Sequence, residues 1–101
     1  MEATLINELE AKQSDHELLK SLLLISMNKW EQAHEIAQRK EGHLLYDRVH
    51  ALLHRIEGDD WNAKYWYRRI NKTYGNLSIE EEWNELTIEY LEKFSQNSTN
   101  I

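Results

Sequence analysis

The chain reads as a single all-α domain of about six helices, on two observations. Proline is absent from all 101 residues, and apolar side chains recur at helical spacing through most of the sequence. Average proline usage is roughly 5%, so its absence, with only three glycines at positions 42, 58 and 75, describes long helices punctuated at a few turns. The length suits one core and not two. One domain over residues 1–96 is expected, followed by a frayed polar tail, 97–101.

The first helix, from about Glu2 to Lys12, carries a thin stripe of Leu5, Ile6 and Leu9. Ser14 and Glu17 have the Ser-x-x-Glu spacing of a capping box, which predicts a second helix from there to about Met27. Leu18, Leu19, Leu22, Leu23, Leu24 and Ile25 cover most of its circumference, the pattern of a helix enclosed on several sides. A third helix, about Trp30 to Arg39, sets Trp30, Ala33, His34 and Ala37 on one face. Beyond Gly42 a fourth helix, about Leu44 to Glu57, has an inner stripe of Leu45, Val49, Leu52, Leu53 and Ile56, and Gly58 ends it. Asp59 or Asp60 caps a fifth, which turns Ala63, Trp66, Tyr67, Ile70 and Tyr74 inward and stops at Gly75. Ser78 and Glu81 repeat the capping-box spacing and open a sixth helix, to about Ser95, with Ile79, Trp83, Leu86, Tyr90, Leu91 and Phe94 inward.

Composition removes several function classes. Without cysteine there is neither a disulfide framework nor a thiol enzyme, and a zinc site would have only histidine and carboxylate ligands. A net charge of -6 and a pI near 5.3 oppose general binding to phosphate backbones, so a nucleic-acid partner is not expected. The acidic start lacks the pattern of a secretory signal, and the longest apolar run, Leu22 to Ile25, is far short of the roughly 20 residues of a membrane span. The expectation is a cytosolic protein without membrane contact. On that expectation the Asn-x-Ser/Thr triplets at Asn71, Asn76 and Asn97 carry no weight. There is no Gly-rich phosphate loop, Gly-x-Ser-x-Gly elbow or His-Glu-x-x-His segment, so no catalytic residue and no cofactor is assigned.

Candidate site residues concentrate between Asp47 and Arg69. On the fourth helix Asp47, His50, His54 and Glu57 recur at i, i+3, i+7 and i+10, opposite the apolar stripe. Such a row is a solvated ionisable face, a structural polar network or the wall of a polar site. His34 falls on an apolar face, where burial without a partner is costly, and Asp47, His50 or Tyr67 could supply one. His34, His50, His54, Glu57 and Arg55 outline a polar cleft for a small ligand, with or without a metal. Glu31-x-x-His34 and Asp47-x-x-His50 also match the spacing by which helical bundles hold dinuclear iron or manganese. Chance produces that spacing in a chain with five histidines and 18 acids, and no metal ligand is assigned. On the fifth helix Tyr65, Arg68 and Arg69 point outward with Lys72 as a small basic patch, suited to ion pairs with the many acids or to an anionic partner.

A shift of thirty residues lays Leu22 on Leu52, Leu23 on Leu53, Ala33 on Ala63 and Arg39 on Arg69. This pattern implies two successive antiparallel helical hairpins, flanked by one helix at each end. Gly58-Asp59 followed by Ala63 and Tyr67 resembles the second half of a tetratricopeptide repeat, although the period falls short of that family's roughly 34 residues. WEQAHEIAQ at Trp30 to Gln38, with HALLHRIEGDDWNAKYWYRR at His50 to Arg69, resembles a family of small uncharacterised bacterial and fungal proteins. That resemblance implies a helical fold and transfers no activity. The functional expectation is a non-catalytic interaction or scaffolding module with its surface on helices four and five, able to form a homodimer through an outer helix bearing Ile88. The alternative is a ligand binder or enzyme using the histidine-rich cleft.

Overall fold

The computed structural model describes residues 1–94, so the expected tail lies outside the described residues. Within them the chain forms six α-helices and no strand: α1 Ala3–Lys12, α2 Glu17–Ser26, α3 Trp30–Ala37, α4 Leu44–Ile56, α5 Asp60–Arg69 and α6 Ile79–Phe94, with a 3-10 turn over Gln38–Lys40. None of these helices is long and apolar enough to cross a membrane.

Two helices are enclosed. As its all-round leucine pattern predicts, α2 buries Leu18, Leu19, Leu22, Leu23, Leu24 and Ile25 against α1, α3, α4 and α6. The second enclosed helix is α4, which packs on α2, α3, α5 and α6. The main apolar core joins α1, α2, α3, α4 and α6, and a smaller one forms between α4 and α5 around Ala51, Ala63, Trp66, Tyr67 and Ile70. Polar tips of buried side chains lock helix to helix. Trp83 donates its indole N–H to the Leu22 carbonyl at 3.0 Å, Tyr90 donates to the Leu45 carbonyl at 2.6 Å, and Ser21 donates to the Ala33 carbonyl at 2.9 Å.

The turns correct several expectations. The N-cap of α2 is His16, whose ring accepts from the Leu18 N–H at 3.0 Å, and not Ser14. Glu17 is thereby free to bind Arg39 at 2.5 Å and to accept from Tyr46. The Ser78–Glu81 box, in contrast, forms reciprocally, with bonds of 2.9 and 3.0 Å. Helix α5 ends at Arg69, well before Gly75, because Asn71 adopts φ 61° and directs its N–H to Arg68 while Lys72 donates back to Tyr67. This is a Schellman closure, with asparagine tolerating the left-handed conformation that glycine usually supplies. Asn28, at φ 60°, closes α2 in the same way. Gly58, at φ 84°, closes α4, and the next residue, Asp59, both donates to His54 O and caps α5 by accepting from Asn62 N. Two residues therefore end one helix, reverse the chain and start the next.

Candidate functional site

Helix α4 carries His50 and His54 one turn apart on the flank between α3 and α5, and α3 brings His34 to the same place. The Nε2 atoms of His34 and His50 are 3.0 Å apart, and the ring centroids lie 4.7 Å (His34–His50), 5.4 Å (His34–His54) and 4.7 Å (His50–His54) from one another. One nitrogen from each of the three rings lies within 4.8 Å of the other two. His34 therefore has the His50 partner that its apolar setting demanded.

Tryptophans wall this cluster. Trp30, one turn before His34, stacks on it at 4.7 Å with the ring planes 11° apart, and donates its indole N–H to the Leu53 carbonyl at 2.7 Å. Trp66 of α5 lies against His50 at 4.2 Å, and the Arg69 guanidinium covers the outer face of Trp66 at 4.8 Å. Glu57, at the end of α4, holds His54 through Nδ1 at 2.8 Å. That contact fixes the His54 ring and leaves its Nε2 for other work.

The electrostatics favour neutral rings. Burial pushes the His50 pKa down to about 4, helped by His34, His54 and Arg69. Burial and His54 also lower His34. With both rings uncharged near pH 7, one donates and the other accepts across their 3.0 Å contact. Among the described residues His50 Nδ1 is buried with no hydrogen-bond partner. If His50 donates through Nε2, that orphan atom is a bare lone pair, cheaper to bury than an unpaired N–H.

The expected stripe is thus not a solvated face, and it does not act as one unit. Asp47, His50 and His54 are 4%, 6% and 8% exposed, because α3 and α5 cover the flank of α4 that the sequence left open. Asp47 belongs elsewhere: its two carboxylate oxygens accept from the Gly42 N–H at 3.1 and 3.2 Å, tying down the loop before α4. Arg55 turns to α6 and pairs with Glu82 at 2.8 Å, and Tyr67 donates to the same carboxylate at 2.5 Å. Of the outward group, Tyr65 meets Trp66 edge-on, Arg69 reaches Glu41 at 3.3 Å, and Arg68 lines a groove with Lys64, Lys72 and Tyr74. Neither dinuclear pair assembles: Glu31 is exposed and Asp47 is engaged with Gly42.

Sequence reading missed three contributors. Trp30 and Trp66 count as site walls only once α3, α4 and α5 are assembled, although the Trp30–His34 spacing of one turn is visible in the chain. Glu82 carries no local signal, since its partners are 27 and 15 residues away. It also borders a cavity of about 320 Å³ between α4, α6 and the segment after α5, shared with Arg48, Tyr67, Lys72 and Glu85. Comparisons with protein-family models, curated proteins and solved structures give no match to this chain. The fold and the site define an all-α domain with an indole-walled imidazole cluster.

Proposed function

We propose that this is a small ligand-binding protein whose site is the cluster of His34, His50 and His54. The observation that carries this reading is convergence: three imidazoles from two helices face one another while a buried His50 nitrogen has no partner. An unpaired buried polar atom costs about 1–3 kcal/mol, and leucine in these positions would pack without that cost. A ligand that engages His50 Nδ1 offsets it. The half-buried His34 and the exposed Glu57 put one side of the cluster near solvent. The test is thermal unfolding of wild type and H54Q against a panel of small anions, heterocycles and metal ions. A compound should raise the wild-type midpoint and have a clearly smaller effect on H54Q; if nothing in the panel separates the two proteins, the reading fails.

A second reading is the interaction module, built on tetratricopeptide-like hairpins in a cytosolic protein related to the small helical family that the Trp30–Gln38 and His50–Arg69 segments resemble. Its support is the outer face of α5, where Trp61 is 81% exposed and Tyr65, one turn on, 41% exposed, beside Arg68 and Arg69. Tryptophan, tyrosine and arginine are the residues that dominate protein interfaces. Ile88, 47% exposed on α6, is a further apolar contact for pairing of two copies. Sedimentation velocity should show a concentration-dependent dimer that W61S or I88S weakens, and a strict monomer removes the dimer.

A further inference from the structure

We infer that His34, His50 and His54 form a three-histidine site for a divalent transition-metal ion of the zinc class, with Glu57 as the residue that orients His54. This rests on the ligand-binding reading and names its ligand. Tetrahedral zinc holds imidazole nitrogens at roughly 2.0–2.1 Å, which sets neighbouring ligands about 3.4 Å apart. The His34–His50 pair, at 3.0 Å, already lies near that spacing, and all three donor atoms lie within 4.8 Å.

Two further features agree with this assignment. The three donors come from two packed helices, with His50 and His54 on consecutive turns, so the site is anchored by backbone that packing already fixes. Glu57 accepts from His54 Nδ1, which is the carboxylate–histidine arrangement that sets tautomer and raises basicity in metal sites.

Among the described residues the site has three nitrogens and no fourth ligand. The adjacent carboxylates are committed, Glu57 to His54 and Asp59 to the α5 cap. A bound ion therefore keeps a coordination position open to water or a small anion, the arrangement of binding or reactive sites and not of closed structural ones. A second grouping, His54 with Glu57 and Asp59, is weaker, because both acids are exposed and already engaged.

The test uses untagged full-length protein titrated with Co²⁺ and, separately, Zn²⁺, followed by calorimetry, the visible absorption of Co²⁺ and tryptophan emission from Trp30 and Trp66. One ion per chain is expected, with an intense low-symmetry Co²⁺ spectrum and quenching of emission. H34Q and H54Q should lower affinity at least 100-fold. E57Q, which leaves all three ligands in place, should lower it about 10- to 100-fold. H43N, at the exposed cap of α4, should bind like wild type. Circular dichroism of each variant separates loss of binding from loss of fold. The assignment is overturned if wild type shows no saturable binding, or if H34Q and H54Q, still folded, bind as wild type does. If the metals fail while an organic or anionic compound still distinguishes wild type from H54Q, the metal is wrong and the ligand site stands; if nothing binds, both fall.

Discussion

His50 shows how one residue couples burial to pH. Its folded pKa of about 4 lies below the ordinary 6.5, because a charged ring at this site would sit desolvated beside His34, His54 and Arg69. The unfolded chain therefore takes up the proton first on acidification. Stability from this residue is complete above about pH 6.5 and is lost as pH falls towards 4, by about 3 kcal/mol in total. Urea unfolding of wild type and H50Q at about pH 7 and about pH 5 should show the wild type losing more stability than the variant; equal losses would mean that His50 is not held neutral. Asp47 makes the opposite point about legibility. In the sequence it is indistinguishable from the histidine row, yet its carboxylate serves Gly42, because helical phase fixes direction from the axis and not what meets the side chain there.

At the scale of elements, the helix bodies were legible and their ends only partly so. Apolar periodicity marks all six helices, and the Ser78 box and the Gly58-Asp59 turn are local chemistry, readable from a few adjacent residues. Two ends were not legible. Ser14 offers the same capping spacing as Ser78, but His16 takes the role and Glu17 is drawn to Arg39 and Tyr46, partners 22 and 29 residues away. Asn71 closes α5 in the left-handed conformation, which asparagine adopts often enough to work and too rarely to be a signal, whereas α2 ends near Met27 as expected. Gly58 permits a direct measurement of the conformational contribution. A Cβ there meets nothing within 4 Å, so the cost of Gly58→Ala is backbone strain alone, about 1–2 kcal/mol. Chemical denaturation checks this, and an unchanged midpoint would show that the turn relaxes without cost.

Among the described residues two apolar clusters, joined through α4, hold the molecule, with His34, His50 and His54 on the flank between α3 and α5. Position in that assembly, and not residue type, sets what each tryptophan contributes. Trp83 is fully buried and bonded to Leu22, so Trp83→Ala should cost about 3–5 kcal/mol, whereas Trp61, 81% exposed, should change stability by less than about 0.5 kcal/mol on the same substitution. Comparable losses from the two, measured by urea unfolding, would contradict this packing. By itself the sequence determined the all-α class, the six helices, the enclosure of α2 and the concentration of unusual chemistry between Asp47 and Arg69, because these follow from periodicity and composition along the chain. Only the tertiary structure decided that α3 and α5 close over the histidine flank of α4, that Asp47 and Arg55 leave the group and that Trp30 and Trp66 join it. The physical reason is that a ring's environment is set by neighbours distant in sequence: His34 and His50 stand 16 residues apart and meet only when the two helices pack.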